Sequence, residues 1–166
     1  MADVLRDPAP QAIDHPALRA LFDYWSGRRD GSGLPARRDI DPLDIPQLLP
    51  HLMLIDVTLP GQVPAQRSGE CVPELRYRLV GTALVRHMGR DTTGLTVGEA
   101  YIGTDWEKIH EDYLYVVSRG RPCLRHNQGV GKDSRTFDYQ RLLLPLASDG
   151  GCVDMILAAA FWRDDA

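Results

Sequence analysis

The ten residues Val153 to Trp162 constrain the fold more than any other stretch. All but Asp154 are apolar or aromatic, and a run of this length is far too short to span a bilayer. Such a run reads as a strand buried on both faces, at the centre of a sheet. The turn signal Ser148-Asp149-Gly150-Gly151 precedes it. Before that turn lies Thr136 to Ala147, where Phe137, Tyr139, Arg141 and Leu143 alternate against Asp138, Gln140, Leu142 and Leu144. Cys123 to Val130 is a third strand, linked through the turn-rich Gly131-Lys132-Asp133-Ser134. Three strands in series with tight connections make an antiparallel meander.

The meander needs cover, and the residues before it supply helices. Thr104-Asp105-Trp106-Glu107 is a capping box that opens the longest helix. Trp106, Ile109, His110, Tyr113, Val116 and Val117 recur along it at helical spacing, and Gly120 and Pro122 end it. Trp106, Ile109, Tyr113 and Val117 are expected to face the sheet, against Tyr139, Leu143 and Ile156 or Leu157. Further upstream, Asp14 as cap and Pro16 in the first turn begin a helix striped by Leu18, Leu21, Phe22 and Trp25. Asp41 and Pro42 start a short helical turn. His51 to Leu59 and Leu75 to Val80 are two more strands, the second with Leu75, Tyr77 and Leu79 on one face. Ala83, Leu84, His87 and Met88 share a short helical face closed by Gly89, and Pro60 to Pro73 reads as an exposed excursion.

This order predicts an α+β fold. A five-stranded antiparallel sheet would be covered by short helices and one long helix, with an extra N-terminal helix. Residues 1–13 are expected as a flexible tail and 14–166 as one domain, with the N-terminal helix at 14–30 and the core at 51–162. The hollow between sheet and helices is the natural ligand site. Tyr77, Thr82, Leu84, Trp106, His110, Tyr113, Tyr139 and Arg141 are its candidate lining.

Composition removes several function classes. Among 166 residues the formal net charge is −4, which gives no positive field for a phosphate backbone, so no nucleic-acid partner is expected. Cys71, Cys123 and Cys152 are dispersed and form no C-x-x-C pair, so a structural zinc site, a redox motif and a disulfide framework are not expected. The first residues carry no apolar signal segment, and a reducing cytoplasm without membrane insertion is the expected setting.

Several local motifs fall in an order of their own. They are Trp25, then Leu34-Pro35-Ala36-Arg37-Arg38-Asp39-Ile40-Asp41-Pro42, then Leu49-Pro50-His51-Leu52-Met53-Leu54-Ile55-Asp56-Val57. Tyr77-Arg78-Leu79-Val80-Gly81-Thr82, Gly89-Arg90-Asp91-Thr92-Thr93-Gly94 and Leu144-Pro145-Leu146 follow. In that order, over nearly all of Leu18 to Trp162, the chain resembles a bacterial family of small stand-alone PAS-domain proteins. The resemblance implies a sensory or interaction module without an output domain on the same chain, and it specifies no ligand.

Individual residues sharpen or weaken that expectation. His110, on the inner face of the long helix, is where heme-binding PAS proteins hold iron, so a heme or metabolite sensor is the alternative. A histidine hydrogen-bonded within the core is the simpler reading, for His110 and for His87 alike. No Asn-Cys-Arg-Phe-like motif surrounds any cysteine, which argues against flavin photochemistry. An acid–base enzyme on a cone-shaped α+β sheet would draw on Asp56, Asp91, His110, Tyr113 and Asp138, but no motif orders them. Gly89-Arg90-Asp91-Thr92-Thr93-Gly94 lacks phosphate-loop spacing, and Asp91 is better placed to cap a turn. Arg78 is solvated or pairs with Asp91 or another acid of that turn. The Leu18, Leu21, Phe22 and Trp25 stripe is expected to bury against the outer face of the sheet, with part of it, led by Trp25, reaching a twofold-related helix as a homodimer interface. Packing within the chain alone is the simpler reading, and a signalling protein is the other expected partner. No cofactor is specified.

Overall fold

The computed structural model describes residues 3–60, 72–101, 106–130 and 136–163. Among these, six strands form one sheet: β1 (Asp3–Arg6), β2 (Leu52–Thr58), β3 (Glu74–Val80), β4 (Cys123–Val130), β5 (Thr136–Leu146) and β6 (Met155–Trp162). Four helices join them: α1 (Pro16–Gly27), α2 (Thr82–Met88), α3 (Val97–Ala100) and α4 (Trp106–Arg119). The strand order is β1-β4-β5-β6-β2-β3, with every neighbour antiparallel.

The C-terminal meander is formed as expected, and β6 lies between β5 and β2. Every β6 residue except Trp162 is buried, so both faces of this strand are covered. Alternation along β5 and β6 then divides the interior into two layers. Leu142, Leu144, Leu157 and Phe161 pack with α1, while Leu143, Ile156, Ala158 and Ala160 pack with α4. Ile156, not Leu157, is therefore the β6 residue beneath α4.

The first layer is closed by α1. Leu18, Leu21, Phe22 and Trp25 are all buried within their own chain, and Trp25 Nε1 donates to Pro145 O at 2.9 Å. Within the chain the stripe is thus covered by its own sheet. His15, not Asp14, holds the cap position of α1, without a side-chain capping bond. Asp41 does cap its turn, accepting from Leu43 N at 2.9 Å.

Two further expectations change. The tail is not free: Asp3–Arg6 pairs with β4, extending the sheet from five strands to six. A four-residue edge strand has too little alternation to read, and its partner lies over a hundred residues away. In β3, Leu75 and Tyr77 are buried as expected, but Leu79 is 45% exposed. A bulge between Leu54 and Ile55 shifts the register, pairing Leu79 with Leu54 and Tyr77 with Ile55. The inserted residue turns Leu79 away from the α4 layer.

Gly81 fixes the junction of β3 and α2. A Cβ there would sit 2.2 Å from Pro50 O, and Gly81 N donates to Leu52 O at 2.8 Å. Only glycine permits this approach. The excursion at 61–71, Thr104 and Asp105 of the capping box, and the link at 131–135 lie outside the described residues.

Candidate functional site

The α4 layer is not filled. Strand parity puts Tyr139 and Arg141 of β5 on that side, beside Tyr77 of β3 and Ala160 and Trp162 of β6. Helices α2, α3 and α4 close over them with Leu84, Val97, Ala100, Ile109 and Tyr113. Between the two lies a cavity of about 270 Å³. Among the described residues its lining includes no Ser, Thr, Cys, His, Asp or Glu, and its charged members are Arg90 and Arg141.

Arg141 is 7% exposed and belongs to a buried charge cluster that α4 organises. On α4, Ile109, Asp112, Tyr113 and Val116 form the fully buried stripe, while Trp106 and Val117 are only partly covered. Asp112 is the acid in that stripe. Its two carboxylate oxygens receive the guanidinium of Arg125, through Nε to Oδ2 and through Nη2 to Oδ1 at 2.7 Å. Arg141 Nη2 adds a further bond to Oδ2 at 2.8 Å. Arg125 Nη2 also donates to Lys108 O at 3.0 Å. Such a fork holds both planes in fixed orientation.

The guanidinium of Arg141 lies 5.0 Å from the centre of the Tyr113 ring, within cation–π range. Desolvation works against its charge, but Tyr113, Tyr139, Asp112 and Tyr77 outweigh that, so it holds its proton more tightly than an ordinary arginine. Burial pushes the Tyr77 hydroxyl well above the usual tyrosine value, and its hydrogen bond with Tyr113 adds to this. Cys123, on the same face, is driven up to about 12 by burial and then by Asp112. Arg141 is protonated, the Tyr77 phenol neutral and the Cys123 thiol unreactive at neutral pH, a set suited to holding a ligand.

Five expected lining residues are brought together here: Tyr77, Leu84, Tyr113, Tyr139 and Arg141. Thr82, Trp106 and His110 are not. Thr82 opens α2 and borders a second hollow of about 400 Å³, on the other side of the sheet near Ile45, Leu52 and Leu79. That hollow is almost wholly apolar, with Arg37 its only charged lining residue among those described. His110 stacks on Trp106, ring centres 5.0 Å apart, and does not line the cavity. His87 stacks on Trp162 at 3.9 Å. A tetrapyrrole would need an imidazole facing a much larger space, so the residues present do not fit heme.

The dispersed acids also fail to converge. Arg78 Nε donates to Asp56 Oδ1 at 2.8 Å across β2 and β3, not to the turn acid expected for it. Asp91 accepts from Thr93 N at 2.9 Å and so caps its own turn, as expected. Asp138 contacts His126 Nε2 at 2.6 Å and Gln128 at 3.0 Å. Asp112 and Arg125 were not singled out by sequence. An acid among apolar positions of an otherwise amphipathic helix was the available signal, since a buried carboxylate must find a cation.

A family model described as a PAS domain matches residues 13–160. No curated protein matches the chain. Among solved structures, the Rhodobacter sphaeroides LOV protein is 17% identical, with a TM-score of 0.48 over 70% of this chain and 61% of that one. An RNA-binding Light-Oxygen-Voltage receptor is 11% identical, with a TM-score of 0.48 over 99% of this chain and 39% of that one. A Light-Oxygen-Voltage domain studied with a flavin analogue is 16% identical, with a TM-score of 0.48 over 74% and 83%. The chain thus spans about three fifths of the Rhodobacter sphaeroides protein.

Proposed function

The chain belongs to the PAS domain family, and from that premise we propose that it is a sensory module whose state is set by a small molecule in the cavity beneath α4. The observation that carries this reading is the cavity itself: it lies between sheet and helices and opens past Arg90, apolar over most of its wall, with one buried arginine among its lining. A concave apolar site with few polar groups is the usual form of a small-molecule site. The absence of a nucleophile or base from the described lining favours holding a ligand over transforming one.

The output of such a module is contact with another protein. The α1 stripe is unavailable for this, being covered by its own sheet. Exposed apolar side chains remain at Leu43, Leu49 and Leu79, near the second hollow, and these are where a partner would gain apolar contact.

The reading is tested by titrating a fragment set of mixed charge while following amide NMR signals. Binding in the cavity should move the amides of Ile109, Arg141 and Ala160 together, and Ala160→Leu, which fills the cavity, should abolish the response. If no fragment of any charge moves these amides, the cavity is not a ligand site.

A further inference from the structure

We propose that the ligand is a small organic monoanion, a carboxylate on a compact apolar or aromatic body, held at Arg141; this deepens the sensory reading above and rests on it. The charge count points there first. Two buried arginines, Arg125 and Arg141, share one buried aspartate, Asp112, so the cluster carries one positive charge in excess. Both oxygens of Asp112 are already engaged by Arg125, and Arg141 has only a share of one of them. Arg125 sits deeper, tied to Lys108 O, while Arg141 lines the cavity.

The second observation is independent of charge. Arg141 Nε is buried and has no hydrogen-bond partner. A buried guanidinium N–H without an acceptor is an exception that demands an explanation, and an anionic oxygen supplied from the adjoining cavity is one. The remaining polar lining agrees in sign. Tyr77 and Tyr113 line the same space, Arg90 stands exposed at its edge with Nη2 on Glu99 O at 3.2 Å, and no acid lines it among the described residues. In this setting an anion meets donors and positive charge, whereas a cation would face Arg141 and Arg90 with no acid in the described lining to offset them.

The apolar wall and the volume then bound the rest of the molecule. Met53, Leu84, Val97, Ile109, Ala160 and Trp162 offer nothing to a second charged group. A cavity of about 270 Å³ equals the liquid volume of roughly nine waters, room for a body on the order of ten non-hydrogen atoms. Within the buried cluster one excess positive charge is balanced by one negative charge, and Arg90 is exposed at the rim, so a second negative charge held inside would be buried unpaired.

The test uses three acids with their neutral amides: benzoate, phenylacetate and isovalerate against benzamide, phenylacetamide and isovaleramide, titrated by NMR into the full chain. The acids should bind at least tenfold more tightly than their amides, with shifts at Arg141 and Ile109. Arg141→Gln should erase that preference, and Arg141→Lys should restore part of it. The acid-to-amide ratio is read on the wild type, so a poorly folded variant does not blunt the test. Amides that bind as tightly as acids would overturn the monoanion assignment and leave the sensory reading standing. If neither acids nor amides shift the cavity amides, the inference fails, and failure of the mixed-charge fragments as well removes the sensory reading with it.

Discussion

One face of the sheet is filled by apolar side chains where α1 covers it, with an apolar hollow left beside Leu52 and Leu79. The other holds a charge cluster and a cavity, although the same strands build both. On the α1 side, β5 and β6 present Leu142, Leu144, Leu157, Ala159 and Phe161, and α1 answers with Leu18, Leu21, Phe22 and Trp25. The lone polar atom of that stripe, Trp25 Nε1, takes Pro145 O. On the α4 side, residues one position along the same strands include Arg141, Tyr139 and, on β4, Arg125, and α4 answers with Asp112 and Tyr113. The α1 face gains its stability from apolar burial and that one hydrogen bond. The α4 face keeps two guanidiniums and a carboxylate where leucines would pack, and desolvating them costs free energy that the ion pairs only partly recover. A chain selected for stability alone has no use for that arrangement. It is the arrangement that the ligand proposed above would use.

The largest expected effect comes from the filled face. Trp25→Ala removes the biggest side chain of the α1 layer and orphans Pro145 O, and should lower stability by about 3–5 kcal/mol. Chemical denaturation would register it, with the midpoint moving and the slope holding. A loss below about 1 kcal/mol would mean that α1 is an appendage and that the α4 face carries the fold.

Next comes the cluster, where removing one member and removing all three should act in opposite directions. Asp112→Asn leaves two buried guanidiniums without their counter-charge and should destabilise by about 3 kcal/mol or more. Replacing Asp112, Arg125 and Arg141 together by Leu, Met and Met should be neutral or stabilising, by up to about 4 kcal/mol. The triple variant should also lose any ligand response. If it were as unstable as Asp112→Asn, the cluster would be a structural keystone and the contrast between the faces would fail.

The same contrast explains what could be read from the sequence. The meander, the central place of β6 and the α1 stripe follow from period and turn chemistry, because one face of each element is uniformly apolar. Of the five lining residues, Tyr77, Tyr139 and Arg141 follow from strand parity, and Leu84 and Tyr113 from helical spacing. Asp112 and Arg125 do not, since each is a charged residue whose burial depends on a partner more than ten positions away. Trp106 and His110, near the start of α4, are half-buried and stacked on each other, which helical spacing alone does not reveal. β1 is too short to carry a pattern, and the flipped Leu79 depends on a bulge that register alone reveals. Trp25 shows the reverse limit. A stripe that must be covered looks the same whether the cover is a sheet or a second copy.

The smallest effect is expected where neither face reaches. Asp56 and Arg78 face each other across β2 and β3, with side chains 31% and 58% exposed, at the edge of the sheet that α1 leaves open. Arg78 Nε donates to both carboxylate oxygens, at 2.8 and 3.0 Å, which is good geometry for a surface pair. Exposure decides its worth all the same: water screens the attraction, and two long side chains must be held still to make it. A double-mutant cycle with Asp56→Ala and Arg78→Ala should give a coupling of about 0.2–1 kcal/mol. Raising the salt concentration should shrink it further, whereas the deficit of Asp112→Asn should persist because buried charges are screened far less. A salt-insensitive coupling of 2 kcal/mol or more would put a third stabilising region at the β2–β3 edge. The division of this sheet into two unequal faces would then be incomplete.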